Sequence, residues 1–120
     1  MKFDIVVVGG GLVGLCLAVA LKESDFKIAL IEPHAPTSIP QDLSWDSRVY
    51  AISPGSADFL TQLGVWQLIA NERITPVYDM AVFGDDHCAQ IDFSAYEIGW
   101  PQLAYIVENR QLQNSAWNTL

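Results

Sequence analysis

Four glycines, at positions 9, 10, 11 and 14, interrupt the apolar segment "DIVVVGGGLVGLCLAVAL" (residues 4–21), and they constrain the chain more than any other feature. Residues 3–8, "FDIVVV", are β-branched and nearly all apolar, as in a strand buried on both faces of a parallel sheet. From Gly11 to Ser24 the residues are helix formers, and 26–32, "FKIALIE", read as a second short strand. Strand, glycine turn, helix and strand within about thirty residues make a βαβ unit.

Gly9, Gly11 and Gly14 keep the G-x-G-x-x-G spacing, and each has a physical task. Gly9 permits the tight turn off the strand. Gly11 lets a pyrophosphate approach the backbone. Gly14 lets the helix lie close to the sheet. The helix N-terminus, with Leu12 and Val13 in its first turn, offers unpaired N–H groups and a partial positive charge to that phosphate. Glu32 ends the second strand, where an acid takes the ribose hydroxyls of an adenosine. An acid there disfavours a 2′-phosphate, so FAD or NAD fits and NADP does not.

Other classes of function are excluded by composition. The segment from Ile5 to Leu21 is too short and too rich in glycine for a good membrane span. The net charge is −8, and the six Lys and Arg are scattered, so nucleic acid is not a partner. Two cysteines, Cys16 and Cys88, make no disulfide framework, and no secretory signal is present; a cytoplasmic, reducing compartment is expected.

Residues 33–47, with three prolines and many turn formers, read as a loop long enough to be functional. Ser53 and Pro54 open a helix with Ala57, Leu60 and Leu63 on one face and Gly64 at its C-terminal end. A short second helix is expected over 65–71. Residues 77–84 and 89–94 read as a hairpin, 103–108 as a strand and 109–120 as a helix. With only two parallel strands visible, the chain is expected to be an N-terminal part of a larger protein.

The order of motifs resembles the FAD-dependent aromatic hydroxylases with the p-hydroxybenzoate hydroxylase fold. More narrowly, it is similar to the ubiquinone-biosynthesis hydroxylases of the UbiH/UbiF/VisC type. Three stretches carry the resemblance: "DIVVVGGGLVGLCLA", "DSRVYAISPGSADFLTQLGVWQLI" (46–69) and "LAYIVENRQLQNSAW" (103–117). It implies an α/β, Rossmann-like FAD-binding domain over 1–76, a substrate-domain hairpin over 77–101 and a return to the FAD domain over 102–120. It implies that Gly9, Gly11, Leu12, Val13 and Gly14 line the FAD pyrophosphate and that Glu32 holds the ribose. Arg48, of the Asp-x-Arg motif, would reach the FAD phosphate or ribityl region; Asn109, or Arg110 if the alignment slips by one, would face the ribityl chain.

The implied activity is hydroxylation of a polyprenylated phenol with O₂ and a reduced pyridine nucleotide such as NADPH. Flavin carries the chemistry, with no catalytic protein nucleophile and no metal. The resemblance leaves open peripheral association with the inner membrane or with a biosynthetic complex. An Asp-Gly motif that contacts cofactor elsewhere in the family is not found in these residues.

Blander readings stand beside these. His87 and Cys88 are adjacent and read as a solvated hairpin tip rather than a metal site. His34 reads as loop surface. Arg48 could merely pair with Asp46 or Glu32. Trp66 and Trp117 read as helix packing, while Trp45 and Trp100 fall in loops where substrate contact is open. An NAD-linked oxidoreductase sharing only the nucleotide fingerprint is the alternative enzyme. A non-enzymatic chain that self-associates through an open sheet edge is the third reading.

Overall fold

The computed structural model describes residues 2–40, 42, 44–86 and 88–120. Strand β1 (Ile5–Val8) leads through the glycine turn into helix α1 (Leu12–Leu21) and back to strand β2 (Ile28–Ile31). β1 and β2 pair in parallel, with Val7 opposite Leu30. Val7 faces the helix and is buried, and Leu30 packs against the core. The expected burial of β1 on both faces does not hold. Val6 is 53% exposed, Val8 80% and Ile31 53%, because α1 covers one face of the pair and the described residues leave the other open.

Beyond the loop, β3 (Val49–Ile52), β4 (Ile74–Val77) and β7 (Ala104–Glu108) form an antiparallel sheet in the order β3-β7-β4. β4 is an edge strand, which is where Pro76 can sit without removing a ladder hydrogen bond. Helix α2 (Pro54–Gln62) follows β3. Ser53 caps it by accepting from the Ser56 N–H at 3.2 Å, and Gly64 follows its end with φ +78°. The single helix expected over 65–71 is instead two 3₁₀ turns, Trp66–Leu68 and Asn71–Arg73. Ile69 and Ala70 are both extended, which breaks the run.

β5 (Asp79–Phe83) and β6 (Gln90–Ser94) pair as an antiparallel hairpin, so its first strand opens at Asp79 and Val77 belongs to β4. A one-turn helix, α3 (Ala95–Ile98), closes on Gly99 in the left-handed region (φ +70°). Helix α4 (Asn109–Thr119) runs directly from β7 and packs on α1. The core lies at that junction: Leu15 and Val19 of α1, Leu60, Val65 and Ile69, Val107 of β7, and Leu112 and Ala116 of α4. Trp66 meets Tyr105 edge to face at 5.3 Å, and Trp117 packs at the margin of the same cluster. The chain is extended, 60 × 35 × 29 Å with a radius of gyration of 17.4 Å. A compact chain of this length would have about 14 Å.

Candidate functional site

The glycine turn is built by three different constraints. Gly9 has φ +103°, a conformation side-chain-bearing residues rarely adopt, and its N–H continues the β1–β2 ladder to the Ile31 carbonyl at 2.9 Å. A methyl group on Gly14 would collide with the Gly9 carbonyl oxygen, so the helix can start this close to the strand only with glycine there. Gly11 differs, because a methyl group on it would meet nothing within 4 Å. No protein neighbour requires glycine at that position; the space in front of it is open. Gly11 also precedes α1 without a capping side chain, and no acid lies in the helix's first turn. The uncapped N–H groups around Leu12 and Val13 are thus left for an anionic partner, and Val13 is 83% exposed.

Glu32, just past β2, folds back on this turn. Its Oε2 accepts from the Gly10 N–H at 2.7 Å and its Oε1 from the His34 N–H at 3.1 Å. Those two N–H groups, Gly10's foremost, hold its carboxyl below the usual carboxylate range. The carboxylate is therefore ionised and fixed, and each oxygen keeps a lone pair that can accept from a hydroxyl. Gly10, a position the fingerprint spacing leaves unassigned, is required by this contact. A methyl group there would lie 2.6 Å from Glu32 Cγ.

The second half of the site comes from the far end of the chain. Thr37, Asp46, Asn109, Arg110 and Gln113 line an open cleft of about 210 Å³ at the N-terminus of α4. Gln113 joins it to the glycine turn by donating to the Gly10 carbonyl at 3.1 Å, while its own Oε1 accepts from the Asn109 side chain at 3.3 Å. Asn114 donates to the Thr37 carbonyl at 2.8 Å and so holds the loop against α4.

Asp46 is the organiser of the Asp-x-Arg segment. Its carboxylate accepts from the Arg48 N–H at 3.0 Å and from the Arg110 N–H at 3.1 Å, which makes it a cap for α4 supplied from a distant loop. The Arg48 N–H, then that of Arg110 and the two guanidinium charges, hold the Asp46 carboxyl below its ordinary range. Asn109 donates its N–H to the Arg48 carbonyl at 2.8 Å, so the backbone of Arg48 is gripped on both sides. The Arg48 side chain is exposed and, among the described residues, makes no hydrogen bond or ion pair. It forms no close ion pair with Asp46 or Glu32, although its charge reaches the Asp46 carboxyl. The Arg110 guanidinium lines the cleft, 3.4 Å from the Ser44 carbonyl.

Beneath this loop lies a buried ion pair that the sequence reading missed. Arg73 Nη1 is 3.1 Å from Glu108 Oε2, with the two side chains 7% and 2% exposed. Glu108 Oε1 also accepts the Asp46 N–H at 2.7 Å, and the Trp45 ring lies over the Arg73 guanidinium at 4.2 Å. The available signal was a lone Glu closing the apolar strand "AYIV"; nothing in its spacing pointed to Arg73.

The remaining candidates lie elsewhere. His34 is exposed and enters the site through its backbone N–H. His87 is outside the described residues. Cys88 is exposed, while burial pushes the half-buried Cys16 thiol up. Trp100 lies beside Pro54, Gly55 and Pro101, away from the cleft. Among the described residues no group of three or more His, Cys, Asp or Glu could hold a metal ion, and no helix is long and apolar enough to cross a membrane.

Known proteins place this architecture. Residues 7–38 match the family model of the NAD(P)-binding Rossmann-like domain. Over 117 residues the chain is 36% identical to the 3-demethoxyubiquinol 3-hydroxylase of Escherichia coli K12, covering 98% of this chain and 30% of that protein. It is 38% identical over 113 residues to the human mitochondrial ubiquinone biosynthesis monooxygenase COQ6, covering 89% of this chain and 24% of that protein. The chain thus spans under a third of the length of these relatives. Among solved structures it resembles the flavin-dependent monooxygenase PieE, crystallised with FAD and substrate, with a TM-score of 0.67 at 17% identity over 99% of this chain and 22% of that one. It also resembles p-nitrophenol 4-monooxygenase PnpA of Pseudomonas putida, with a TM-score of 0.61 at 21% identity over 96% of this chain and 27% of that one. The fold is that of the flavin-dependent monooxygenases, an α/β arrangement with a Rossmann-like start.

Proposed function

We propose that this chain is the part of a ubiquinone-biosynthesis hydroxylase that holds the adenosine and pyrophosphate of FAD. The observation that carries the reading is the open space at Gly11, facing an uncapped helix N-terminus between a fixed carboxylate and an arginine-lined cleft. The residues fit the cofactor's chemistry. The N–H groups at the start of α1 and the glycine backbone receive the pyrophosphate. Glu32 accepts the ribose hydroxyls. Arg110 and Arg48 supply positive charge on the other side, and Asn109 and Gln113 offer amides to the ribityl hydroxyls. When bound, FAD supplies electron transfer from a reduced pyridine nucleotide such as NADPH and the activation of O₂ for aromatic hydroxylation.

Similarity to the 3-demethoxyubiquinol hydroxylase and COQ6 supports a polyprenylated phenol as the substrate of the whole protein. Such a substrate resides in a bilayer. A cytoplasmic protein touching the inner membrane peripherally, alone or within a biosynthetic complex, is the location we infer. The domain division that accompanies this reading assigns 1–76 and 102–120 to the cofactor domain and 77–101 to the substrate domain. Its support is that β7 and α4 return to α1, while the hairpin stands apart.

An NAD-linked oxidoreductase has the Rossmann family match in its favour. A regular continuation of that fold would add a third parallel strand after Glu32. Here a long loop leads to an antiparallel sheet instead. Titration of the chain with FAD and, separately, NAD, followed by flavin fluorescence and thermal shift, separates the two. FAD is expected to bind and NAD to have no effect. Gly11→Val should abolish FAD binding with no more than about 1 kcal/mol lost in thermal stability, because its Cβ would enter open space at an ordinary φ of −68° and only the poorer N-cap residue costs stability. Stabilisation by NAD alone, or unchanged FAD binding by the valine variant, would overturn the proposal.

A further inference from the structure

We infer that the buried Arg73–Glu108 pair is a positioning latch for the cofactor-side loop, setting where Arg48 and Arg110 present their charge. This rests on the reading of the cleft as a dinucleotide site. Neither residue lines the cleft, and both are buried beneath it. A buried ion pair is a poor way to gain stability, since desolvation offsets most of the attraction. What it does well is hold a fixed geometry. Arg73 Nη1 donates to both Glu108 oxygens, to Oε2 at 3.1 Å and to Oε1 at 3.4 Å, and Oε1 also accepts the Asp46 N–H at 2.7 Å, while Arg73 carries Trp45 over its guanidinium face. Two consecutive loop residues are thereby attached to one pair.

The consequence passes outward through Asp46. Its carboxylate grips the N–H groups of Arg48 and Arg110, and the Arg48 carbonyl accepts the Asn109 N–H. Glu108 is also the residue from which α4 departs. One side chain thus locks the loop to the helix whose N-terminus it immediately precedes. If the Asp46 N–H is released, the cap on α4 and the placement of both arginines loosen together, while the Leu15–Leu112 core, to which neither Trp45 nor Asp46 belongs, stays closed.

Two variants test this: E108Q, which keeps one weaker acceptor oxygen, and R73M/E108M, which replaces the pair by apolar side chains of similar length. Amide hydrogen exchange, thermal stability and FAD affinity are measured on each. In E108Q the Asp46 and Arg110 amides should exchange faster, those of Leu15 and Val19 should not change, and FAD should bind about tenfold more weakly. R73M/E108M should keep or regain thermal stability, as apolar replacements of buried pairs commonly do, yet bind FAD more weakly still. Recovery of FAD affinity together with stability in the double variant would reduce the pair to a structural element and overturn the inference. So would an E108Q chain with unchanged Asp46 protection. If the unaltered chain binds no FAD, the cofactor reading fails for it; the exchange of Asp46 and Arg110 then decides the latch alone, lost protection supporting it and kept protection refuting it. Should the double variant not fold, E108Q decides.

Discussion

The α1–α4 region and the β5–β6 hairpin are built from similar proportions of apolar residues but reach opposite outcomes. In the first, Leu15 comes from α1 and Val107, Leu112 and Ala116 from the consecutive β7 and α4 far along the chain, and all four are fully or almost fully buried. In the second, Met80 lies opposite Phe93 and Val82 opposite Ile91, giving one apolar face; Ala81 opposite Asp92 and Asp79 opposite Ser94 give a more polar one. All four of those apolar side chains are at least 40% exposed. Alternation has made an amphipathic hairpin that nothing among the described residues covers. The lesson is that apolar pattern specifies a face, while burial requires a second element to meet it. α4 meets α1, and this gives the candidate site a rigid floor.

The sharpest way to break the comparison is to remove a core side chain at the junction. Leu112→Ala should lower unfolding free energy by about 2–5 kcal/mol, read from a urea titration. Next in size is Gly14→Ala, whose methyl group has no room against the Gly9 carbonyl; a loss of about 1–3 kcal/mol is expected in the same titration.

Acid should affect the site region more than the hairpin. Glu32 and Asp46 both have folded-state values below their ordinary ones, so their contribution is present above the unfolded carboxylate range and is lost as pH falls through the folded values. Thermal midpoints should therefore be level near neutrality and fall below roughly pH 4, with a shallower fall in Glu32→Gln. The smallest effect belongs to the hairpin. Val82→Thr, on its uncovered face, should change stability by no more than about 0.5 kcal/mol. A loss comparable to that of Leu112→Ala would mean that this face is covered in solution.

The sequence made the βαβ start legible because its signals are local. Glycine spacing, β-branched strands and a terminal acid lie within one βαβ unit, and the Ser53–Pro54 helix start needs only its own neighbours. β3 was missed because "VYAI" is four residues long and pairs with β7, far along the chain. The buried Arg73–Glu108 pair was invisible for the same reason: each partner alone looks like an ordinary surface charge. Gln113 and Gly10 had to be seen in space, because their hydrogen bond joins opposite ends of the chain. Burial of β1 on both faces was over-read, since a continuous apolar strand shows that two covers suit it and not that both are at hand.

The most direct test of the account is residue-resolved amide exchange of this chain with and without saturating FAD. The account predicts slowing at residues 11–14, at Glu32 and His34, and at 109–113, with 79–94 of the hairpin unchanged. Slowing confined to the hairpin, or none at the glycine turn while FAD is bound, would contradict it.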